Sequence, residues 1–330
     1  MPSNRLASSC WTASRGARLM MKAYLASSLL LLTAASAHGP LPMPQPVGAD
    51  LVRTGLSGAD RPAGTDVDSA KLCDQVSFTR NLRYGAAELN VLDVAAPIAK
   101  ATYPRPILLF VAGESFTGDD AAPDTIRNMQ DQAMCFAARN DMIGVRMSYQ
   151  LAPAAQWPSG AKDVAAALSW IHENIDLFDG NTQEIVAIGY AAGAFHVATL
   201  LAHPEMQIED SAAAGIVLVS GTYRPGPDVS ESEKAYLGAD ERQYDMRSVS
   251  PGILTATAPI LLAWAATDDV QLIAQSKKLR EQLCAAGHCP RATVLKNRDG
   301  LGAAFLDDSS GGLAKPTLQL VRQLEARGLP

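Results

Sequence analysis

The feature that most constrains this 330-residue chain is a recurrence. Short, nearly continuous apolar runs (PILLFVAG, MIGVRMSY, EIVAIGY, AGIVLVSG, PILLAWAA and ATVLK) alternate with stretches of helical periodicity. A strand that is apolar on both sides has to be covered on both faces, and parallel neighbours need a crossover long enough to hold a helix. The expected class is therefore α/β, a mainly parallel central sheet with helices on both faces. Residues 159–177 show the matching helical stripe, with Val164, Leu168, Ile171 and Ile175 on one side. Upstream, VSFTRNLRYG and LNVLDVAAP alternate like the two strands of an opening hairpin.

The ends of the chain read differently. Arg15, Arg18 and Lys22 precede the apolar stretch AYLASSLLLLTAASA, which closes on Ala35-Ser36-Ala37. This is the layout of a signal peptide over residues 1–37, cut before His38, with no membrane span left afterwards. A secreted or periplasmic location follows as an expectation. Residues 38–74 form a Pro/Gly-rich extended arm, and 75–330 the folded domain. Within that domain, residues 223–252 turn polar and charged without a full helix of their own. They are expected as a small cap over the carboxyl edge of the sheet. A net charge of −6, with no basic cluster interleaved with aromatics, speaks against nucleic-acid binding.

An oxidising compartment changes how the cysteines read. Cys10 belongs to the leader. Cys284 and Cys289, five apart across a helix end in LCAAGHCP, are expected to pair; a bond between Cys73 and Cys135 is left open, since spacing does not support it. A zinc site from Cys284, His288 and Cys289 is the alternative, but it lacks a fourth ligand. No metal and no cofactor are assigned.

Residues 184–203, EIVAIGYAAGAFHVATLLAH, have the order strand, glycine turn, helix. Gly189 and Gly193 stand where the nucleophile elbow G-x-S-x-G has its glycines. The middle position is Ala191, whose methyl group cannot attack anything.

This elbow resembles the α/β-hydrolase superfamily, specifically its carboxylesterase and hormone-sensitive-lipase-like branch, over about residues 75–325. SYQLAPAAQWPSGAKDVAAALSWIHENI is similar to that branch's Y-R-L-A-P-E…P-A…D-V…A-L-x-W segment, and LNVLDVAAP to its L-D-V-Y-x-P strand. The resemblance implies a serine nucleophile, a histidine base, an acid that orients the histidine, and backbone N–H groups that hold the oxyanion. Ala191 stands at the nucleophile position and Gly300, in LKNRDGLGAAF, at that of the histidine. Asp268, in LLAWAATDDV, matches the acid; alternatively, it and Asp269 cap the helix starting near Val270. The H-G-G-G-F loop reads Ala112-Gly113-Glu114-Ser115-Phe116, so Glu114 sets a carboxylate where negative charge would develop. Gly113, Glu114, Ser115, Tyr190 and Ala192 are the implied binding positions.

The other histidines are poor bases. His288 ends a helix at the far edge, His196 belongs to the core or supports the site from behind, His172 is solvated, and His203 ends a helix. A lone serine-to-alanine exchange would leave the other motifs intact, yet here three separated motifs depart. The expected function is a catalytically inactive pseudo-hydrolase that binds a small-molecule ligand or a protein partner. The alternative is an ester hydrolase using other groups, from Ser115, Glu114, Tyr190, Asp268 and Asp299, the carboxylates of which could also hold a divalent cation. Excess carboxylates in the cleft would favour neutral or cationic ligands.

Overall fold

Each apolar run forms a strand in the computed structural model, which describes residues 73–113, 115–118, 123–296, 304–305 and 312–328. The expected leader and most of the arm lie outside these residues. In chain order the elements are β1 (Val76–Arg83), β2 (Val91–Pro97), β3 (Arg105–Gly113), α1 (Pro123–Arg139), β4 (Ile143–Met147), α2 (Ser159–Asn174), β5 (Gly180–Ala191) and α3 (Ala192–Ala202). They continue with β6 (Gly215–Val219), α4 (Glu231–Leu237), β7 (Ile260–Ala265), α5 (Val270–Ala285), β8 (Arg291–Leu295) and α6 (Ala314–Gly328).

The strands form one sheet in the order β1-β2-β4-β3-β5-β6-β7-β8. β1, β2 and β4 pair antiparallel, and every other pair is parallel. Both faces are covered, as the continuous apolar runs require. Ile107, Leu109 and Val111 of β3 pack with α2, α3 and α5, while Leu108 and Phe110 point to the opposite cluster with α1 and α6. The outer strands show the contrast: β1 alternates half-buried and exposed residues, and β8 is mostly exposed. The chain leaves β3 toward β4 on one side and returns to β5 on the other. The carboxyl ends of β3 and β5 therefore flank a topological switch point, where crevices form in open α/β sheets.

A buried ionic cluster braces the β1 side of this crevice. Asp93, 2% exposed, accepts from Arg80, Arg146 and the Asn81 N–H, and Arg80 also grips Asp131 of α1 at 2.7 Å and 2.9 Å. Burial pushes the Asp93 carboxyl up, but the Asn81 N–H and the two guanidiniums outweigh it and hold its pKa below the usual range. Arg146 continues to Gln130, whose amide reaches the carbonyl of Ala112 near the end of β3.

One pairing that the sequence left open is formed, and one expectation is overturned. Cys73 and Cys135, 62 residues apart, are bonded, tying the start of the domain to α1; Cys284 pairs with Cys289 as expected. That second bond uses both sulfurs the zinc alternative needed. Residues 223–252 do contain a helix, the two-turn α4. Ser230 and Glu233 form a reciprocal capping box at its start, and Tyr236 and Leu237, each 1% exposed, bury its end.

Candidate functional site

The elbow is intact as backbone. Ala191 closes β5 with φ 49° and ψ −115°, and α3 begins at the next residue. L-residues avoid this region, so the conformation persists only because the surroundings enforce it. Glycines do much of that. A Cβ on Gly193 would lie 1.9 Å from the Val111 carbonyl oxygen, and one on Gly189 would lie 2.5 Å from the Ala194 Cα. β5 can thus turn back over its own helix, and α3 can press against β3, only with hydrogen at both positions.

Ala191 and Ala192 line a cleft of about 1270 Å³ together with Ser115, Phe116, Ser220 and the segment from Thr222 to Glu233. Ser115 stands near the end of β3, 9% exposed, and its Oγ accepts the Gly118 N–H at 3.0 Å and the Thr117 N–H at 3.3 Å. Its hydroxyl oxygen is thereby engaged in stabilising its own turn. The neighbouring Phe116 N–H donates to Ser232 Oγ at 2.8 Å, and the Phe116 ring stacks on Tyr236 at 4.8 Å. The β3 loop and the α4 insertion are therefore fastened to each other at the cleft. Gly113 lies beneath the Tyr149 hydroxyl, which a Cβ would overlap. Tyr190, 4% exposed, packs within the sheet core rather than on the cleft wall. Glu114, Asp299 and Gly300 lie outside the described residues.

Asp268 stands one layer behind the cleft, 7% exposed in the turn after β7. Its Oδ2 accepts the Ser220 hydroxyl at 2.6 Å and the Ala265 N–H at 2.8 Å. Asp269 accepts the Gln271 N–H and caps α5, so of the two aspartates it is the second that serves the helix. Ser220, like Ala191, has a positive φ, 51°, and is 2% exposed. Sequence reasoning passed over Ser220. The run AGIVLVSG marks a strand end, but nothing local reveals a partner 48 residues away.

His196, His203 and His288 occupy the expected kinds of place, whereas His172 is half-buried rather than solvated. His196 on α3 is 1% exposed inside a cage of rings, with Tyr149 at 4.5 Å, Tyr236 at 5.0 Å and Phe116 at 5.4 Å between centroids. Neither ring nitrogen has a hydrogen-bond partner among the described residues, and desolvation pushes its pKa down to about 3. His172 is half-buried, with its Nε2 at 3.1 Å from the Ala212 carbonyl oxygen. His203 caps the end of α3 and faces Glu205, and His288 is exposed beyond α5. Among the described residues no group of three or more His, Cys, Asp or Glu is arranged to hold a metal, and no helix is long and apolar enough to cross a membrane.

Known proteins share this layout. The BD-FAE family model matches residues 92–283. Esterase LipC of Mycobacterium tuberculosis is 27% identical over 194 residues, 55% of this chain and 46% of LipC. Bile salt-activated lipase of Rattus norvegicus is 25% identical over 142 residues, 39% of this chain and 23% of the lipase. The chain thus spans less than half the length of either relative. Among solved structures, Esterase B from Lactobacillus rhamnosis superposes with a TM-score of 0.61 at 15% identity, covering 77% of this chain and 86% of that one. A truncated carbohydrate esterase from gut microbiota gives 0.62 at 17% identity, over 77% and 98%. At these identities what the structures share is the α/β-hydrolase fold.

Proposed function

The chain belongs to the BD-FAE family of carboxylesterase-like α/β-hydrolases, and we propose that it uses the family's cleft to hold a small ligand without hydrolysing esters. The observation that carries this reading is the methyl group of Ala191 at the apex of an elbow whose backbone and glycines are otherwise in order. A scaffold that keeps the strained turn has kept the shape of the pocket; one that lacks the hydroxyl has lost the step in which a bond forms. Removing a nucleophile or a base from a working triad costs on the order of a millionfold in kcat, and here Gly300 stands where the pattern has its histidine. The two disulfides support an extracytoplasmic, oxidising location.

Ester hydrolysis by other groups is the second reading, favoured by relatives that are named esterases. Against Ser115 as its nucleophile stands the engagement of that oxygen in its own turn.

The test is a short-chain aryl ester assayed with the purified protein, an inert carrier protein, and the variant carrying Ala191→Ser and Gly300→His. The protein is expected to match the carrier. A saturable rate that survives purification and disappears in Asp268→Ala would overturn the proposal in favour of the second reading.

A further inference from the structure

Three hydroxyl groups on one wall of the cleft have their protons committed to carboxylates. Ser220 donates to Asp268 at 2.6 Å, Thr222 donates to Glu233 at 2.7 Å, and Ser230 donates to Glu233 at 2.9 Å. Ser220, Thr222 and Ser230 all line the cleft, as do Ser115, Ser232 and Ser250. A hydroxyl has one proton and two lone pairs, so a hydroxyl whose proton is committed to a carboxylate can offer a ligand only an acceptor. The commitment is firm at Ser220. The bond is short and charge-assisted, and the same Asp268 oxygen also takes the Ala265 N–H. The wall is held in place as well, because Gln275 on α5 accepts the N–H groups of both Tyr223 and Arg224 at 2.8 Å.

Among the described residues, the two cations in the cleft lining each face a carboxylate at the surface. Arg224 and Lys278 line the outer cleft, and each already faces a carboxylate, Asp245 at 3.0 Å and Glu281 at 3.7 Å respectively. A ligand carboxylate set against Ser220 and Thr222 would meet lone pairs backed by the carboxyl groups of Asp268 and Glu233. At those two positions it would lose hydration without gaining a donor. A ligand hydroxyl, amide or ammonium would find acceptors already oriented.

We propose that Ser220 and Thr222 determine the specificity of this cleft, and that it selects neutral or cationic ligands carrying O–H or N–H donors and rejects carboxylates. Asp268 then has a task that needs no histidine: it is a positioning residue that holds the Ser220 proton and so turns the hydroxyl into an acceptor. This inference rests on the ligand-holding reading above and narrows it to a ligand class.

Phe116 and Leu272 supply an apolar wall to the same cleft, which suggests probes with an aromatic end. Phenylbutanol, phenylbutylamine, phenylbutanamide and phenylbutanoate differ only in their polar head. Their dissociation constants can be measured by calorimetry or by ligand-observed magnetic resonance on the full-length protein. The alcohol, amide and amine are expected to bind at least about tenfold more tightly than the acid. Ser220→Ala and Thr222→Val are each expected to erase about fivefold to tenfold of that preference, roughly one hydrogen bond, by weakening the donors and leaving the acid unchanged. Thr222 is half-buried just before the insertion, so its variant keeps the test open if Ser220→Ala proves unstable. Acid binding equal to that of the amine and alcohol would overturn the inference while leaving a ligand-holding cleft. A preference that survives both variants would equally remove Ser220 and Thr222 from the role. Failure of all four probes to bind would count against the ligand-holding reading itself, and the inference would fall with it.

Discussion

Two strand ends meet at the floor of the cleft, and they solve the same backbone problem by different means. β5 and β6 pair in parallel with Tyr190 opposite Val219, so the next residues, Ala191 and Ser220, leave the sheet side by side. Both have the positive φ that side chains avoid, 49° and 51°. At Ala191 the conformation is enforced sterically, by a helix packed so closely that only glycine fits at positions 189 and 193. At Ser220 a polar bond contributes, from the side chain to a buried aspartate on the neighbouring strand's turn. The difference teaches why one end can lack a hydroxyl and keep its shape. A turn held by packing does not need its own side chain, whereas a turn held by a hydrogen bond does.

The largest expected effect tests the steric half of this comparison. Gly193→Ala sets a Cβ against the Val111 backbone carbonyl and is expected to destabilise the protein by about 3 kcal/mol or more, since backbone cannot move aside cheaply. Gly221→Ala, on the β6 side, meets the Ala194 Cβ at 2.7 Å and the Tyr223 ring at 3.0 Å, looser contacts than the 1.9 Å at Gly193, and should cost less, about 2 kcal/mol. Denaturant melts of both would check this; equal losses would mean that the two turns are held alike.

The polar half predicts a smaller loss with a characteristic rescue. Asp268→Ala leaves the Ser220 hydroxyl and the Ala265 N–H without their acceptor and should cost about 2–3 kcal/mol. Asp268→Asn keeps a carbonyl oxygen of the same reach and should recover most of that loss. If the asparagine variant is as unstable as the alanine variant, the charge of Asp268 matters and its hydrogen-bond geometry does not.

The third prediction concerns how each side buries a titratable group. Asp268 has donors; His196, on the elbow's helix, has rings around it and a pKa pushed down to about 3 by desolvation. Below pH 6.5 the unfolded chain binds a proton that the buried ring refuses, so the neutral ring contributes fully above that value. Its contribution is lost as pH falls from 6.5 toward about 3, by at most about 1.4 kcal/mol for each pH unit. His196→Leu should flatten that part of the stability–pH curve and change little at neutral pH. An unchanged slope in the variant would assign the acid sensitivity to other groups.

The order of elements was legible because each strand and helix is a local pattern. A both-faces-buried strand must be a continuous apolar run, and a crossover helix must carry a stripe. The elbow was legible for the same reason, with Gly189, Ala191 and Gly193 inside one short segment whose spacing alone gives the turn. The absence of a serine at that position could be read from one letter. What could not be read joins distant segments. Ser220 and Asp268 are 48 residues apart, Cys73 and Cys135 are 62 apart, and the rings of Phe116, Tyr149 and Tyr236 reach His196 from three different parts of the chain. The α4 helix was missed although its capping box is a local signal, because seven residues are too few for apolar periodicity to show.

The sequence by itself determined that this chain folds as a mainly parallel α/β sheet covered on both faces, that its elbow resembles that of the α/β-hydrolases, and that no hydroxyl stands there, because periodicity and residue identity are properties of neighbours. Only the tertiary structure decided which way the cleft's remaining hydroxyl protons point. A hydroxyl's role depends on the partner that claims its proton, and for Ser220 parallel packing of β6 beside β7 brings that partner, Asp268, into reach.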